Sequence, residues 1–390
     1  GVNELLGVES RKPLEIHDCR FNFNGSRKKL KCRIVALFLL AELEMKIRSR
    51  APLRLGIGGG GTDVSPYCDT FGGVVLNATI DRYAWTTLDL LEEPSNHVIF
   101  ESADLGLIQD FSFSDIFEKP LTSPLLLHKV VYKYFIDNFN SGKPIALKVT
   151  TLCEVPMGSG LGASSTIVVS LIKAFDELFH TTLDDYEIAN LAVFIERELC
   201  QLKGGRQDQF AASFGGVNFI EFGKKTEALV NSLRIKRWVI NELEASLLLF
   251  FTGVSRDSAT IISNQSENLH KENTDAVEAM HRIKSNTYAL KRALLEGDFE
   301  KFCCLINESW KNKVKTSSKV SNNRIDSILS TAFKFGAKAG KVSGAGGGGF
   351  MWFFVPPEKK HTVITELQKF EGMISECHFV ENGAESWKIK

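Results

Sequence analysis

The chain has 390 residues, of which 44% are hydrophobic and 24% are charged. This length and composition indicate a folded protein with room for two domains. Its 47 basic residues equal its 47 acidic residues, so the chain lacks the overall positive field that recruits nucleic acid. An anionic ligand would therefore have to be held by a local group of residues.

Cysteine and histidine argue against two further kinds of site. The eight cysteines are scattered apart from Cys303 and Cys304, and no pair has the spacing of a zinc site or a redox motif. This usage is typical of reduced thiols that serve as small buried side chains in a cytoplasmic protein. The histidines form none of the short patterns that hold zinc or iron.

The first 44 residues carry no recognisable motif. An apolar stretch at 34–41 follows several basic residues, but it is too short to span a bilayer, and Glu42 and Glu44 follow at once. We interpret it as a helix or an unstructured leader rather than a signal peptide. We therefore expect Met45 to be the natural start, and residues 1–44 to be an added leader or an accessory segment.

From Met45 the pattern predicts a sheet-rich region that runs into a glycine-rich loop and two helices. The helix after the loop opens with hydroxyl residues suited to cap it, and the next one ends at Gly204 and Gly205. The predicted elements are strands at 46–50, 74–76, 83–88 and 145–149, helices at 124–140, 164–179 and 184–201, and the loop at 156–165.

After 219–222 the composition becomes charged, which predicts a boundary between domains at 45–225 and 226–390. The predicted elements of the second domain are strands at 245–251, 350–355 and 378–380, and helices at 257–296, 298–313, 321–336 and 358–370. Helices on a small sheet, in this order, indicate the α+β class with a split β-α-β unit.

The loop at 156–165 combines the features of a phosphate site. Its glycines let the backbone approach an anion, successive N–H groups converge, and the following helix offers the positive end of its dipole. A P-loop would need Lys before Ser or Thr, which this segment does not have. A phosphate cradle of another class is thus favoured.

Two alternatives for this loop remain open on the residues alone. Gly158, Gly160 and Ala163 loosely match a dinucleotide fingerprint, but the chain continues from helix to helix without the strand and acidic residue that bind a ribose. The other alternative is a plain structural turn.

The segment Pro156–Ser165 resembles the nucleotide loop of the GHMP kinases, the superfamily of galactokinase, homoserine kinase, mevalonate kinase and phosphomevalonate kinase. Arg50–Arg54 and Gly58–Asp63 resemble the substrate motif of that family, and Val342–Phe350 resembles its third, glycine-rich motif. The motifs occur in the family's order, and the resemblance extends from Met45 onward. It implies the two-domain GHMP kinase fold, with an N-terminal domain like domain 2 of ribosomal protein S5 and a C-terminal ferredoxin-like split β-α-β domain.

The resemblance implies ATP as the phosphate donor and Mg²⁺ as the cofactor. The residues that it assigns to ATP are Pro156, Gly158, Ser159, Gly160, Leu161, Gly162, Ala163, Ser164 and Ser165. The family usually has Ser where Ala163 stands, so this hydroxyl contact is missing or moves to Ser165. The third motif contributes Gly344, Gly346 and Gly347, which we expect to pack closely against the nucleotide site.

Asp208 stands at the position of the family's catalytic Asp, where a carboxylate can align an acceptor hydroxyl and take its proton. The resemblance implies that Arg54 contacts substrate and stabilises charge near this carboxylate; a surface ion pair is the alternative. Glu196 matches the family's metal-binding Glu, and with Ser164 and phosphate oxygens it would hold Mg²⁺. Glu198 lies two positions further along the helix and points elsewhere. Solvent-exposed roles for Asp208 and Glu196 remain the alternatives.

Thr62 and Asp63 fall where related sugar kinases contact the substrate, and Asp208 would contact it too. A phosphate already on the substrate would need further cations, for which Lys203, Arg206 and Arg256 are candidates.

Within the superfamily, the motifs most resemble the branch that acts on D-glycero-D-manno-heptose 7-phosphate. This implies phosphorylation of the anomeric C1 hydroxyl, with a 1,7-bisphosphate as product for nucleotide-heptose and surface polysaccharide synthesis. The alternatives are another sugar 1-kinase, such as fucokinase or galactokinase, and a sugar sensor that binds ATP without turnover. We expect a cytoplasmic monomer or homodimer that binds a small sugar phosphate, and neither nucleic acid nor membrane.

Overall fold

The computed structural model describes residues 46–92, 94–118, 125–223, 228–253, 258–270 and 274–389. The expected leader over residues 1–44 and the expected start at Met45 lie outside this part of the chain. Within the described residues, no helix combines the length and the apolar composition needed to cross a bilayer.

The larger of two sheets holds eight strands in the described part of the chain. They are β1 (Lys46–Gly58), β2 (Gly73–Leu90), β3 (His97–Ser102), β4 (Leu107–Ser112), β5 (Leu147–Cys153), β6 (Val217–Phe222), β7 (Ala228–Ser232) and β12 (Glu385–Ile389). Six follow the order β12, β1, β2, β5, β3, β4, while β6 pairs with β2 and with β7. All these pairs are antiparallel except β3 with β5.

The smaller sheet contains β8 (Leu247–Phe251), β9 (Ala339–Val342), β10 (Phe350–Phe354) and β11 (Met373–Ser375). Its order is β11, β8, β10, β9, and all its pairs are antiparallel. Both faces of its central strand β10 are buried, which is why five consecutive aromatic or sulfur-containing residues form it.

The helices of the first half are α1 (Tyr67–Phe71), α2 (Phe113–Glu118), α3 (Leu126–Phe139), α4 (Ala163–Phe179), α5 (Asp185–Phe194) and α6 (Gln207–Phe214). A π-helical turn at Ile195–Leu199 continues α5. The helices of the second half are α7 (Arg237–Ser246), α8 (Ser258–His270), α9 (Thr274–Glu296), α10 (Phe299–Thr316), α11 (Asn323–Phe335) and α12 (Pro357–Leu367).

Helix α4 is the central helix of the first domain and packs on β1 and β2. The predicted apolar face is buried, as Ile167 and Phe175 show, but Val168 and Ile172 on other sides are buried as well. The helix therefore lies inside the domain rather than on its surface. This burial fixes the position of its N-terminus, where the glycine-rich loop ends.

The second domain differs from the sequence prediction in several elements, since α7, β9 and β11 are not among the predicted ones. The predicted helix at 257–296 is two helices, α8 and α9, and residues 271–273 between them lie outside the described part. The predicted strand at 378–380 is only a single bridge between Phe379 and Ile80. The last strand is instead β12, which pairs with β1 at the edge of the larger sheet.

The boundary predicted at 225/226 separates strands that the structure joins. β7 follows this boundary but pairs with β6, and β12 pairs with β1, so both belong to the larger sheet. The second domain thus leaves the larger sheet after β7 and returns to it at β12. Composition cannot reveal such a return, because a strand carries no mark of its partner.

Candidate active site

A cleft of about 470 Å³ collects residues from all three glycine-containing motifs. Its lining draws on the loop after β1, on 157–165 and on 196–208 in the first domain. The second domain contributes residues of α8 and α10 together with 344–345. The cleft therefore lies where both domains meet.

The loop at 156–165 turns on three glycines with backbone geometry that side chains disfavour. Gly158, Gly160 and Gly162 have φ angles of 73°, 83° and 84°. Gly162 immediately precedes α4, and no side chain caps that helix. The first turn of α4 therefore presents N–H groups and a positive dipole end to an anion. The predicted hydroxyl cap on α4 is wrong.

Most of the residues predicted to bind ATP line this cleft. They are Gly158, Gly160, Gly162, Ala163, Ser164 and Ser165. Three others do not: Ser159 and Leu161 are buried under the loop, and Pro156 lies on the surface. Ser159 instead links the loop to the third glycine motif through its backbone, since its carbonyl accepts from the N–H of Phe350 at 2.7 Å.

The third glycine motif presses its backbone against this loop. A Cβ built on Gly160 would lie 2.5 Å from the carbonyl oxygen of Ser343, and one on Gly344 would lie 2.8 Å from the Cα of Gly160. Neither position tolerates a side chain without movement of backbone. Gly344 therefore packs where the sequence predicted it, against the loop.

Gly346 and Gly347 face elsewhere. A Cβ on Gly346 would lie 2.7 Å from the carbonyl oxygen of Val320, and the N–H of Gly347 donates to that oxygen at 2.7 Å. These two glycines fit the connection between α10 and α11, and neither lines the cleft. The prediction that Gly346 and Gly347 pack against the nucleotide site is therefore wrong, because both pack against Val320.

Arg54 joins the loop to Asp208. Its Nε and Nη2 both lie 2.6 Å from Oδ1 of Asp208, and its Nη1 donates to the carbonyl of Gly160 at 2.6 Å. Arg54 is 4% exposed, so this ion pair is shielded from water on the arginine side. The Asp208 carboxylate is three-quarters buried and still lines the cleft.

Asp63 holds the start of the helix that carries Asp208. Its Oδ2 accepts from the backbone N–H groups of Arg206 at 2.9 Å and Gln207 at 3.1 Å. Its Oδ1 accepts from the N–H of Gly61 at 3.1 Å and from the Gln207 side chain at 3.3 Å. A carboxylate at the N-terminus of α6 thus acts as a capping residue, supplied here from a distant loop.

Thr62, predicted to bind substrate, lies away from the cleft. Its hydroxyl is fully buried and lies within hydrogen-bond distance of the carbonyls of Gly59 at 2.8 Å and Val74 at 2.7 Å, which share its single proton. It also accepts from the N–H of Val74 at 3.0 Å. Since the hydroxyl's only proton is used within the protein and the residue is buried away from the cleft, the prediction for Thr62 is wrong, and its role is to fix the loop after β1.

Of the three predicted phosphate-binding cations, two lie in the described part of the chain, and only one of these lines the cleft. Lys203 is exposed and lines the cleft. The side chain of Arg206 instead packs over the ring of Phe222 and lies 3.7 Å from Asp69, so it does not line the cleft. Arg256 lies outside the described residues.

Glu196 is a buried carboxylate in the π-helical turn, facing the first turn of α4. Its Oε1 accepts from the Ser164 hydroxyl at 3.4 Å, and its other oxygen accepts a short hydrogen bond from the Gln209 amide. Burial raises the pKa of Glu196, although nearby Arg197 and its hydrogen bonds oppose the shift. A nearby cation would stabilise its charged form. Glu198 is exposed and does not line the cleft.

Two residues of this site escaped the sequence analysis. Gln209 bridges Glu196 and the Ser165 hydroxyl, which its amide reaches at 3.1 Å. Its position next to Asp208 was the available signal. Lys313 reaches the cleft from α10 of the second domain, and nothing distinguishes it in sequence from Lys311 and Lys315 on the same helix.

Family models match both halves of the chain. The model described as the GHMP kinases N terminal domain matches residues 126–216, and the one described as GHMP kinases C terminal matches residues 290–371. A relative named D-glycero-alpha-D-manno-heptose 7-phosphate kinase, from Campylobacter jejuni, is 42% identical over 88% of this chain and 99% of its own length. The chain belongs to the GHMP kinase family.

Other GHMP kinases agree with this assignment. A crystal structure of a protein named D-glycero-D-manno-heptose 1-phosphate kinase, from Bacteriodes thetaiotaomicron, superposes with a TM-score of 0.72 at 38% identity. It covers 88% of this chain and 99% of the other. The L-fucokinase/L-fucose-1-P guanylyltransferase of Bacteroides fragilis is 25% identical over 85% of this chain and 37% of its own length.

This GHMP kinase is a sugar kinase, an enzyme that transfers phosphate to a hydroxyl group. Membership of a kinase family implies ATP as the phosphate donor. The α+β class and the two-domain GHMP kinase fold predicted from the sequence are confirmed.

Proposed function

We propose that this GHMP kinase transfers the γ-phosphoryl group of ATP to the anomeric C1 hydroxyl of D-glycero-D-manno-heptose 7-phosphate. The main support for phosphoryl transfer is the position of the Asp208 carboxylate. It lines the cleft beside the glycine-rich loop and lies 2.6 Å from the Arg54 guanidinium. The sugar follows from the relative with 42% identity, which carries that substrate in its name. The product is the 1,7-bisphosphate, a precursor for nucleotide-heptose and surface polysaccharide.

In this proposal the triphosphate lies along 158–165, and the sugar lies between the loop after β1 and Asp208. The C1 hydroxyl oxygen attacks the γ-phosphorus, the bond to the β,γ-bridging oxygen breaks, and ADP leaves with that electron pair. The hydroxyl proton passes to Asp208. Arg54 engages Oδ1, so we assign the proton to Oδ2, on the side of Gly162.

Most of the rate acceleration comes from positioning and charge, because phosphoryl transfer leaves little covalent chemistry to the protein. Asp63 fixes the start of α6 and thereby the place of Asp208. Arg54 ties the same carboxylate to the loop that holds the donor. Both residues act on the geometry between donor and acceptor.

The residues around Glu196 fit a magnesium ion. Burial raises the pKa of this carboxylate, so a cation beside it would stabilise its charged form, and the Ser164 hydroxyl lies 3.4 Å from its Oε1. In the described part of the chain, no three acidic, His or Cys residues form a metal cluster. A single carboxylate with a neighbouring hydroxyl can still hold Mg²⁺, because this ion is commonly bound by one or two carboxylates together with phosphates and water. We assign Glu196 and Ser164 to it; when bound, the ion neutralises phosphate charge.

A panel of acceptors with magnesium and ATP tests the substrate. It contains the heptose 7-phosphate, the same heptose without phosphate, the heptose 1-phosphate, fucose and galactose. We expect kcat/KM for the 7-phosphate to exceed that of the unphosphorylated heptose by about 100-fold or more. A heptose without the phosphate would leave the groups that bind it unpaired. Phosphorus NMR of the product should show a new anomeric phosphate ester.

The same panel separates the alternatives. Preference for the heptose 1-phosphate would place the transfer at another carbon, as the name of the structural relative allows. Preference for fucose or galactose would indicate another sugar 1-kinase, as the fucokinase relative allows. A lack of turnover with every sugar, combined with ATP binding, would indicate a sensor.

A further inference from the structure

A buried lysine of the second domain enters the cleft without a role in the mechanism above. Lys313 is 7% exposed, and its ammonium donates to the carbonyl of Gly344 at 2.6 Å and to that of Gly60 at 3.2 Å. One carbonyl belongs to the third glycine motif and the other to the loop after β1. Lys313 therefore lies between the donor side and the acceptor side of the cleft.

The ammonium has capacity to bind a ligand. It carries three N–H donors, and the two carbonyls use two of them. Among the described residues, no carboxylate forms an ion pair with it; Asp63 and Asp208 act on it electrostatically from further away. Burial lowers the pKa of Lys313 to about 8, and Arg54 adds to this shift while the two carboxylates oppose it.

A second lysine lies behind the first. Lys341 is 6% exposed and donates to the carbonyl of Ile57 at 3.0 Å. Burial lowers its pKa well below the usual range, and proximity to Lys313 and Arg54 adds to the effect. Arg54, Lys313 and Lys341 thus lie close enough to affect one another, and the first two of them line the cleft. Asp208 compensates Arg54, whereas no carboxylate of the described residues pairs with Lys313, so an anion in the cleft would stabilise the charged form of Lys313.

The position of Lys313 indicates which phosphate it would bind, the one being transferred or the one on C7 of the sugar. Gly344, its nearer carbonyl partner, packs against Gly160 of the donor loop, and Arg54 binds the carbonyl of that same Gly160. Asp208 and Arg54 are close enough to affect its protonation. These contacts place the ammonium at the reaction centre, whereas a phosphate on C7 would lie at the opposite end of the sugar from the reacting hydroxyl.

We propose that Lys313 binds the γ-phosphoryl group of the nucleotide as it is transferred. The proposal deepens the proposed function and rests on it for ATP as the donor. An ammonium on this group stabilises the charge that its oxygens carry in the transition state. Because Lys313 comes from the second domain, the reaction centre is complete only with both domains in contact.

Equilibrium binding separates this role from a structural one. AMP-PNP carries a γ-phosphoryl group and ADP does not, so calorimetry with Mg²⁺ compares the two ligands on the full chain. We expect Lys313→Met to weaken AMP-PNP by about 10- to 100-fold, the worth of a charge-assisted hydrogen bond, and to change ADP by less than about 2-fold. We expect kcat to fall by about 100-fold or more. Lys315→Met, an exposed lysine on the same helix, is the matched control and should change neither.

Three results would overturn the proposal. They are an equal loss for ADP and AMP-PNP, an unchanged affinity for AMP-PNP, and a loss confined to the binding of the phosphorylated sugar. If Lys313→Met fails to fold, Lys313→Gln is measured in its place, since it keeps N–H donors for the two carbonyls without the charge. The AMP-PNP and ADP titrations contain no sugar, and binding of the heptose 7-phosphate is measured in a separate titration. The nucleotide result therefore stands apart from the acceptor panel, which alone decides the proposed substrate.

Discussion

Two nitrogens of the Arg54 guanidinium lie 2.6 Å from a single oxygen of the Asp208 carboxylate, although 154 residues separate the two in sequence. A third nitrogen holds the carbonyl of Gly160. One side chain therefore fixes the distance between the proposed proton acceptor and the loop proposed to bind ATP. A rigid link of this kind matters because small displacements of reacting groups cost much of the rate.

Replacing Asp208 with Ala should lower kcat by about 10²- to 10⁴-fold, the range for loss of a positioned acid or base. Binding of ATP should persist, because the loop at 156–165 keeps its own backbone contacts. A coupled assay for ADP and calorimetry with ATP measure the two quantities. Arg54→Met should lower kcat as well, and the double variant should lose less than the sum of the two. Additive losses would contradict the view that the pair acts as a unit.

Asp63→Ala should act through α6 rather than through the sugar. The helix would lose its capping carboxylate, and the free energy of unfolding should fall by about 1 kcal/mol. Displacement of Asp208 should lower kcat more than it raises KM for the sugar. Urea unfolding and steady-state kinetics measure these effects. A rise in KM with kcat unchanged would instead support the direct substrate contact predicted from sequence.

Glu196→Gln should raise the Mg²⁺ concentration needed for half-maximal activity by about 10-fold or more, because a neutral amide is a poorer ligand for a hard cation. Glu198→Gln is the matched control. It changes the same residue type two positions away on the exposed side, and its Mg²⁺ dependence should equal that of the wild type. Similar Mg²⁺ curves for both variants would refute the assignment of Glu196.

Gly160→Ala should be far more harmful than Gly106→Ala. Both glycines have positive φ, at 83° and 63°, so both substitutions carry a conformational cost of about 1 kcal/mol. Only at Gly160 does a Cβ also approach a carbonyl oxygen, at 2.5 Å, whereas nothing lies within 4 Å at Gly106. Gly160→Ala should lower the melting temperature and raise KM for ATP. Gly106→Ala should leave KM for ATP unchanged. Equal effects would mean that backbone strain, not the contact with Ser343, requires the glycine.

Lys313 should make stability depend on pH. Burial lowers its pKa to about 8 in the folded chain, while an unfolded lysine titrates near 10.4. Between these values the unfolded chain binds more protons, so the contribution of this group to stability rises with pH. Below about 8 the folded state carries the full cost of the buried charge.

Lys313→Met removes this dependence. Its stability relative to the wild type should therefore be greatest near pH 7 and decline as pH rises from 8 to about 10. The groups that act on Lys313, namely Arg54, Lys341, Asp63 and Asp208, remain in both proteins. Urea unfolding of the nucleotide-free chain at several pH values measures the difference. A constant difference would show that Lys313 keeps an ordinary pKa.

The sequence predicts those parts of the site that depend on local backbone. The glycine-rich loop, the strand before it and the helix after it follow from glycine spacing and apolar periodicity. The structure has the helix within one residue of its predicted bounds, while the strand, predicted at 145–149, lies at Leu147–Cys153. Asp208 and Arg54 were found by resemblance, and they meet in the cleft. Gly344 meets the loop as its small size suggests.

Contacts between distant segments were beyond the reach of sequence patterns. Thr62 and Asp63 are adjacent and polar, yet Thr62 hydrogen-bonds within its own loop and Asp63 caps α6. Arg206 carries the right charge but turns toward Phe222. Lys313 resembles its neighbours on α10 until the fold brings Gly60 and Gly344 to it. In each case the tertiary environment, not the residue type, determines the role.

The pairing of β12 with β1 has a consequence for how the protein is made. Lys46 pairs with Ile389, so this edge of β1 has no partner until residues 385–389 have left the ribosome. During that interval the second domain can complete its own sheet, while the first exposes an open strand edge. A nascent chain can therefore associate through this edge of β1, and a chain that stops before residue 385 would keep the edge unpaired.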